Sequence, residues 1–511
     1  MSKAYVLVLG DTLEDTNDQA NEIAKQNNAI NYGLLSRNTP VGDPGIYHTT
    51  VIDLNSGEII NLAKKQFDTV IMLDQPADEW GHSKLLLSTY KIMIELENSD
   101  CELVYKANEN IKSIEFFTTL FQENKSFCMY PWLTYNDEHG HLRLCARDEA
   151  KVQDIDKLSD WRTDPEFTKI REKMLQGQKL PEHCNYCYDY EEQGVISYRQ
   201  HDSMDYIAKL NITSFEDLNK IENPYYYEIR PSNKCNLMCR MCKPRYSHLL
   251  QREFEANKEL YTPEQEPYNN DEESYSNIDK IKIDTLTDKH TVYLAGGEPT
   301  IMKEVYQFME TCIAKNKTNF LLTLGTNAFK LNNRFLELAS HFSQMHFSIS
   351  VDGYKKINDY IRWNSDFDTI MGNANLLKAR GHAITFNHVP TIWGIHAEHL
   401  LFEYFDKHFP DESIYLQFNR VGLTSAFCFP KPELVIESME RCKQTNVYYS
   451  DGKSLKTGID SVYDHYLNYT PDLDHLKKFF KWNDKMDQVR NIELKDYIPE
   501  LAECRSLLGE M

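Results

Sequence analysis

The chain has 511 residues, with 56 Lys and Arg against 78 Asp and Glu, for a net charge of −22. That length exceeds one compact core and predicts two or three domains, and the charge excludes non-specific binding to DNA, RNA or anionic lipid while leaving room for a local basic pocket. No stretch approaches the ~20 apolar residues of a membrane span, and the first apolar run, Ala4 to Leu9, meets Asp11, Glu14 and Asp15 without a basic leader, so a soluble, cytoplasmic protein is expected.

Residues 1 to about 122 read as a small α/β domain of unknown role. Ala4–Leu9, Thr49–Leu54 and Thr69–Leu73 are strand-like apolar runs, and Ser88 to Glu97 is helix-like. Leu9-Gly10-Asp11 resembles a nucleotide-binding turn, but one glycine is weak support, and a docking or substrate-recognition role is the preferred reading.

A first cysteine group occupies residues 123 to 205. Of the twelve cysteines, seven fall into two patterned groups, which in such a chain suggests metal ligands rather than disulfides. Cys101, Cys312, Cys428, Cys442 and Cys504 stand alone and read as packing residues. The first group opens with Phe127-Cys128-Met129-Tyr130-Pro131-Trp132. Leu133-Thr134-Tyr135 and His141-Leu142-Arg143-Leu144 read as two strands joined by a turn-rich Asn136 to Gly140, a hairpin that brings Cys128 and Cys145 together. Between the hairpin and a Cys184-Asn185-Tyr186-Cys187 knuckle, Ser159 to Gln176 has a helical face of Trp161, Phe167, Ile170 and Met174. Four such thiolates can saturate one iron–sulfur cluster or one zinc ion. His183 is a weaker candidate ligand beside Cys184, and the run Glu191 to Arg199 reads as a solvated helix and linker.

The second group is Asn233-Lys234-Cys235-Asn236-Leu237-Met238-Cys239-Arg240-Met241-Cys242, just past the strand-like Tyr225–Arg230. Three thiols at C-x3-C-x2-C can hold three irons of a cubic cluster and leave the fourth open to a small molecule. The plainer alternative is three buried or zinc-binding thiols. A helix is predicted near 245–260, followed by an acidic, exposed insertion at 262–288.

Thr291–Ala295 is a strand ending in Gly296-Gly297-Glu298-Pro299. Glycines there admit close approach of a ligand. Further strand–helix units follow: Leu321–Leu324 with a helix near 333–341, His346–Ser350 with helices near 354–361 and 366–380, Ala383–Val389 with a helix near 396–408, then Ser413–Phe418. Six strands alternating with helices over 223–425 predict a parallel sheet, with polar residues at the strand ends where barrel enzymes place their sites. The tail, 426–511, reads as a helical extension in which Asp487 and Arg490 look like a helix surface pair.

The three-cysteine loop, with Gly-Gly-Glu-Pro downstream, resembles the radical S-adenosylmethionine (SAM) superfamily. Met241 stands where that family usually has an aromatic residue, and Ala328 stands where relatives often have glycine. The resemblance implies a (β/α)6 partial TIM barrel, a [4Fe–4S] cluster on Cys235, Cys239 and Cys242, and SAM chelated to its open iron. It also implies SAM contacts from Gly296, Gly297, Glu298 and Pro299, from Asn327 and Ser350, and from Arg362 to the SAM carboxylate, with Asp352 ordering the loop. The Phe-Cys-x-x-Pro-Trp, C-x11-G-x4-C and CxxC combination resembles the auxiliary-cluster segment called SPASM or twitch, placed here before the core. It implies one auxiliary [4Fe–4S] cluster on Cys128, Cys145, Cys184 and Cys187.

The expected chemistry is reductive SAM cleavage and hydrogen abstraction from a substrate. The favoured outcome is oxidation or crosslinking of a peptide or protein side chain, with a small-molecule sugar or cyclitol alcohol as the alternative. An electron donor such as flavodoxin or ferredoxin is implied, and no nucleic acid or membrane. A non-catalytic zinc or iron–sulfur scaffold is the rival from another class.

Overall fold

The computed structural model describes five strands within residues 5–105, residues 116 and 120, and residues 124–509 except 139, 149, 155–159, 193–196, 262–276, 417–421, 446 and 450–454. The predicted helix at 88–97 and Cys101 lie outside the described residues. The chain divides into two compact units, residues 1–134, 143–153 and 157–224, and residues 135–142, 154–156 and 225–511.

In the first unit, β1 (Tyr5–Gly10), β2 (Asn31–Ser36), β3 (Val51–Asp53), β4 (Thr69–Met72) and β5 (Glu102–Tyr105) form a parallel sheet in the order β3-β2-β1-β4-β5. Three strands were legible as apolar runs. Asn31–Ser36 is interrupted by Gly33, and Glu102–Tyr105 holds only Leu103 and Val104 as adjacent aliphatic residues, so neither has a clear pattern. The order reverses between β1 and β4, and Gly10 ends β1 at that point. Open sheets take ligands at such switch points.

Among the described residues, the first unit also holds the helices Pro165–Leu175, Pro181–Glu192, Tyr198–Lys209 and Phe215–Asn219. The first begins at Pro165 rather than at Ser159, because the Asp164 carboxylate accepts from the N–H groups of Glu166 and Phe167 and Pro165 suits the first helical position. Phe167, Ile170 and Met174 are its buried face.

The second unit is built on a sheet in the order β17-β16-β15-β13-β12-β11-β9-β6-β7-β8. Its strands are β6 (Thr134–Glu138), β7 (His141–Arg143), β8 (Gln153–Asp154), β9 (Tyr226–Arg230), β11 (Thr291–Leu294), β12 (Leu321–Thr326), β13 (Gln344–Ser350), β15 (Ala383–His388), β16 (Ser413–Leu416) and β17 (Tyr448–Tyr449). A separate two-stranded ladder joins β10 (Met238–Cys239) to β14 (Arg362–Trp363). The six expected strands, β9 to β16 of the main sheet, are parallel neighbours with helices between most of them. Two features correct the expectation. The tail adds a seventh parallel strand, β17. The hairpin starts later than expected, because Tyr130–Leu133 is a helical turn beginning at Pro131's end of the motif. Its turn uses Gly140 at φ +85°, whose N–H donates to Asp137 Oδ1 at 2.8 Å.

The two faces of the parallel strands differ. One carries Ile229, Leu294, Leu324, Phe347 and Ile384 in register, all buried. Helices cover this face: Phe386 stacks on Phe405 at 4.2 Å, and Phe335 meets Phe347 edge-on at 6.1 Å. Each such residue contributes about 1.5–3 kcal/mol by leaving water. The other face is polar. His346, Ser348 and Ser350 on β13, Thr385 and Asn387 on β15, and Ser413 and Tyr415 on β16 are half-buried. A sheet closed on both faces by apolar packing would not alternate in this way, so the polar face lines an accessible space.

The insertion is folded where it is described. Ile278–Lys280 and Ile283–Thr285 are short 3-10 turns, and Ile278, Ile281 and Leu286 are buried. Residues 262–276 lie outside the described residues. Among the described residues, no helix is long and apolar enough to cross a membrane.

Candidate functional site

The three-cysteine loop follows β9 and carries β10. Pairing of β10 with β14 sets Cys239 opposite Arg362, and Arg362 Nη1 lies 3.9 Å from Cys239 Sγ. Cys235 is buried, and its N–H donates to His248 Nδ1 at 3.1 Å. Burial and then the neighbouring Cys239 push the Cys235 thiol up, and the same two causes raise Cys242 to about 12. Burial also raises Cys239, against the pull of Arg362. Thiols close enough to resist each other's ionisation are a natural site for a cation or cluster, whose positive charge reverses that penalty.

Gly-Gly-Glu-Pro lies flat against the approach to this loop. Gly297 N–H donates to Ser232 O at 2.9 Å and Glu298 N–H to Lys234 O at 2.8 Å. A Cβ on Gly297 would stand 2.2 Å from Lys234 O, and Gly296 sits at φ +113°. Both positions therefore require glycine. Glu298 is fully buried; its Oε1 accepts from Thr300 and Thr326, and Oε2 from the Asn327 N–H at 2.7 Å. Burial raises its pKa in spite of these donors. Pro299 opens a 3-10 turn to Ile301.

Asn327 Nδ2 donates to Asn236 Oδ1 at 2.8 Å, which ties the end of β12 to the cysteine loop. Ala328 takes the left-handed conformation, φ +50°, that glycine would otherwise supply. Ser350 ends β13 on the polar face, opposite Asn387. Asp352 is fully buried, holds Arg362 Nη2 at 2.6 Å and accepts the Val389 N–H at 3.0 Å. The structure thus gathers Glu298, Asn327, Asp352 and Arg362 around the three cysteines. Asn236 Nδ2 and Arg362 Nε are buried with no protein partner. Such orphan donors are costly, and they fit a ligand that brings a carboxylate or other acceptor.

Three groups at this site were not legible in the sequence. His388, on β15, donates from Nδ1 to Val351 O at 2.7 Å and is paired at Nε2 with Glu398. Burial lowers its pKa, but Glu398 and then Asp352 raise it further, for a net rise. Asn236 sat inside the motif without an assigned role. Asp487 and Arg490 are not a surface pair: both are buried, Asp487 against Arg240 of the loop and Arg490 against Glu253.

In the first unit, Cys128, Cys145, Cys184 and Cys187 line one cavity. The CxxC is not a free knuckle: Cys184 and Cys187 stand one turn apart on the helix Pro181–Glu192. Burial, then Cys184, pushes Cys128 far up, and burial raises Cys145 to about 12. Every described cysteine is a free thiol. His183 lines the same cavity, its Nδ1 held by Asp148 Oδ2 at 2.9 Å, and Asp148 also accepts the Leu144 N–H at 3.1 Å.

The described ends of the run Glu191 to Arg199 correct the reading of a solvated helix and linker: Ser197 and Arg199 are buried, and residues 193–196 lie outside the described residues. Arg199 is buried, pairs with Glu191 and donates to the carbonyls of Phe127 and, at 2.8 Å, Lys125. These contacts hold the segment that carries Cys128. Residues so far apart in sequence give no local pattern to read.

Among the described residues, no three His, Cys, Asp or Glu side chains stand close enough to share one metal ion. A cube with a thiolate on each iron holds its ligands farther apart than a single tetrahedral ion with bonds of about 2.3 Å does.

Residues 229–398 match the family described as the Radical SAM superfamily. No curated protein matches the chain. Among solved structures, it is similar to native anSMEcpe with bound AdoMet, at 18% identity over 43% of this chain and 60% of that one, TM-score 0.31. It is also similar to Streptococcus suis SuiB bound to S-adenosylmethionine, at 15% identity over 49% and 51%, TM-score 0.29. A third is the radical S-adenosylmethionine methyltransferase TsrM from Kitasatospora setae, at 10% identity over 86% and 76%, TM-score 0.27. The chain thus spans 60% and 51% of the length of the first two.

Proposed function

We propose, on the premise that residues 229–398 are a radical SAM domain, that this protein is an enzyme that holds SAM against a [4Fe–4S] cluster on Cys235, Cys239 and Cys242 and takes a hydrogen atom from a substrate. The bound cofactors supply one-electron cleavage of a carbon–sulfur bond and a 5′-deoxyadenosyl radical. The chain's own residues bind and orient. Arg362, held by Asp352, would face the SAM carboxylate, and Glu298, whose Oε2 accepts the Asn327 N–H at 2.7 Å, would bear on the ammonium group. Gly296, Gly297 and Pro299 would keep that edge open to SAM, and Asn327 and Ser350 would meet its methionine or ribose part.

The observation that carries this reading is the set of three crowded thiols whose neighbours Asn236 and Arg362 each keep a buried donor without a protein partner. We assign a second, auxiliary [4Fe–4S] cluster to Cys128, Cys145, Cys184 and Cys187, all of which line one cavity. With all its irons held by protein, it suits moving an electron from the substrate radical to a carrier of the flavodoxin or ferredoxin kind. The functional division is then 1–122, 123–205 for the auxiliary cluster, 223–425 for the core and 426–511 for the extension.

The substrate class we assign is a peptide or protein side chain, oxidised or crosslinked. A separate five-stranded sheet in the first unit favours a substrate large enough to be held at more than one place. The polar face of Ser348, Ser350, Thr385 and Asn387 also suits hydroxyl groups, so a sugar or cyclitol alcohol is the second reading.

The test is to reduce anaerobically purified protein, add SAM and assay 5′-deoxyadenosine. About eight irons per chain are expected on the two-cluster reading. Cys239→Ala should abolish cleavage, and Cys187→Ala should spare it while stopping substrate turnover. Colourless, zinc-loaded protein, or cleavage that persists in Cys239→Ala, overturns the proposal.

A further inference from the structure

We infer that the helix Leu473–Arg490 of the C-terminal extension positions the three-cysteine centre and sets the charge around it, through Asp487 and Arg490. The inference rests on the reading above, because it concerns the cluster assigned to that loop.

Two buried ion pairs carry it. Arg240 lies between Cys239 and Met241, and its side chain is fully buried. Its N–H donates to Ile361 O at 2.8 Å, and its Nε to Tyr360 O at 2.9 Å. The guanidinium lies over the Tyr360 ring, 3.7 Å from its centre, and pairs with Asp487. Asp487 also accepts from the Tyr360 hydroxyl at 2.8 Å, and Asn483, one turn earlier, joins Tyr360 and Trp393. One face of a helix that begins 233 residues downstream of Arg240 is thus committed to the residue beside Cys239.

The second pair grips the other side of the loop. Arg490 forks onto Glu253 through Nε at 3.0 Å and Nη2 at 2.8 Å. Glu253 sits on the helix His248–Ala256, which follows Cys242. Ser247 caps that helix and donates to Leu237 O, inside the loop, at 2.9 Å. Arg490 Nη1 is buried and has no protein partner. It belongs to a guanidinium whose field reaches the Cys239 thiolate. Hydrogen bonds and charge near the sulfurs of a cluster shift its potential, and burial strengthens both effects.

Positioning alone and charge-setting make different predictions. Asp487→Asn leaves Arg240 uncompensated beside Cys239, so electron uptake becomes easier and the midpoint potential rises. Arg490→Gln removes a cation and leaves Glu253 uncompensated, so the potential falls. Each change should move the ratio of reduced to oxidised cluster at fixed potential by roughly tenfold, or about 59 mV for one electron. Arg490→Lys and the double variant Arg490→Gln with Glu253→Gln preserve the net charge and should stay near wild type.

The experiment is a redox titration followed by electron paramagnetic resonance, taking the SAM-responsive part of the signal as the three-cysteine cluster. Opposite shifts for Asp487→Asn and Arg490→Gln, with Arg490→Lys unmoved, are expected. Shifts of one sign, or none, overturn the inference. If Asp487→Asn loses its iron, the contrast between Arg490→Gln and Arg490→Lys still decides. A wild-type signal that ignores SAM overturns the proposed function instead, so the two failures are distinguishable.

Discussion

The three-cysteine loop takes its sulfurs from residues 235 to 242, whereas the four-cysteine cavity takes them from a segment before a hairpin, a segment after it and a helix, between Cys128 and Cys187. The braces differ as well. Around the cavity, buried polar side chains tie the cysteine segments together: Arg199 pairs with Glu191 and donates to two carbonyls, and Asp148 holds His183 and accepts from two N–H groups. Around the loop, Asn236, Arg362 and Arg490 each keep one buried nitrogen without a protein partner. On the proposed reading, four thiolates leave no iron of a cube free and three leave one. The contrast is then between a centre closed by its own chain and one open to a ligand.

The change expected to have the largest effect acts on the closed centre. Arg199→Ala takes the cation from the half-buried Glu191, which keeps the Ser197 hydroxyl, and removes the donors to Phe127 and Lys125. Breaking a fully buried pair costs about 3–5 kcal/mol, and the partial exposure of Glu191 puts this loss at the lower end. Denaturant melts should show that loss, and iron analysis should show the four-cysteine iron gone, about half the total, while 5′-deoxyadenosine formation persists. Loss of iron from both centres would mean that they are not independently braced.

The parts that were legible in the sequence are local. Strands β9 to β16 show as apolar runs alternating with helices, and the cysteines show as short motifs whose spacing is itself the signal, whereas Gly-Gly-Glu-Pro and Asp352 gain a role only through the family resemblance. The unread parts are pairings across the chain. Arg240 and Asp487 are 247 residues apart, and Arg362 comes next to Cys239 through a two-residue ladder. Asp487 and Arg490 at i, i+3 look like any exposed helix pair until the fold shows that face turned inward. Glu191 to Arg199 reads as polar linker for the same reason: a charge that will be buried against a backbone carbonyl looks no different in sequence from one that stays in water.

A smaller effect is expected at the open centre. Asn236→Ala removes a donor that no protein group uses and, with it, the oxygen that accepts from Asn327 Nδ2, so stability should fall by about 1–3 kcal/mol while iron content changes little. A hydrogen bond to a charged acceptor contributes about 1.5–3 kcal/mol, so SAM binding should weaken by roughly tenfold or more, read by titrating SAM into the reduced protein. Unchanged affinity would remove Asn236 from the ligand's surroundings and weaken the distinction between the two centres.

The smallest effect is a slope with pH. Asp352, which holds Arg362, lies 4.0 Å from His388, and His388 is paired with Glu398. The folded state raises the His388 pKa above its ordinary 6.5, because Glu398 and Asp352 outweigh the opposing effect of burial. The stabilisation from its protonated form is therefore complete below about 6.5 and is lost as pH rises through the folded value. Relative to His388→Gln, the wild-type protein should lose stability as pH is raised above 6.5, and the difference between the two should shrink steadily in melts across that range. A constant difference would mean that His388 stays neutral and that the charge behind Arg362 is Asp352 alone.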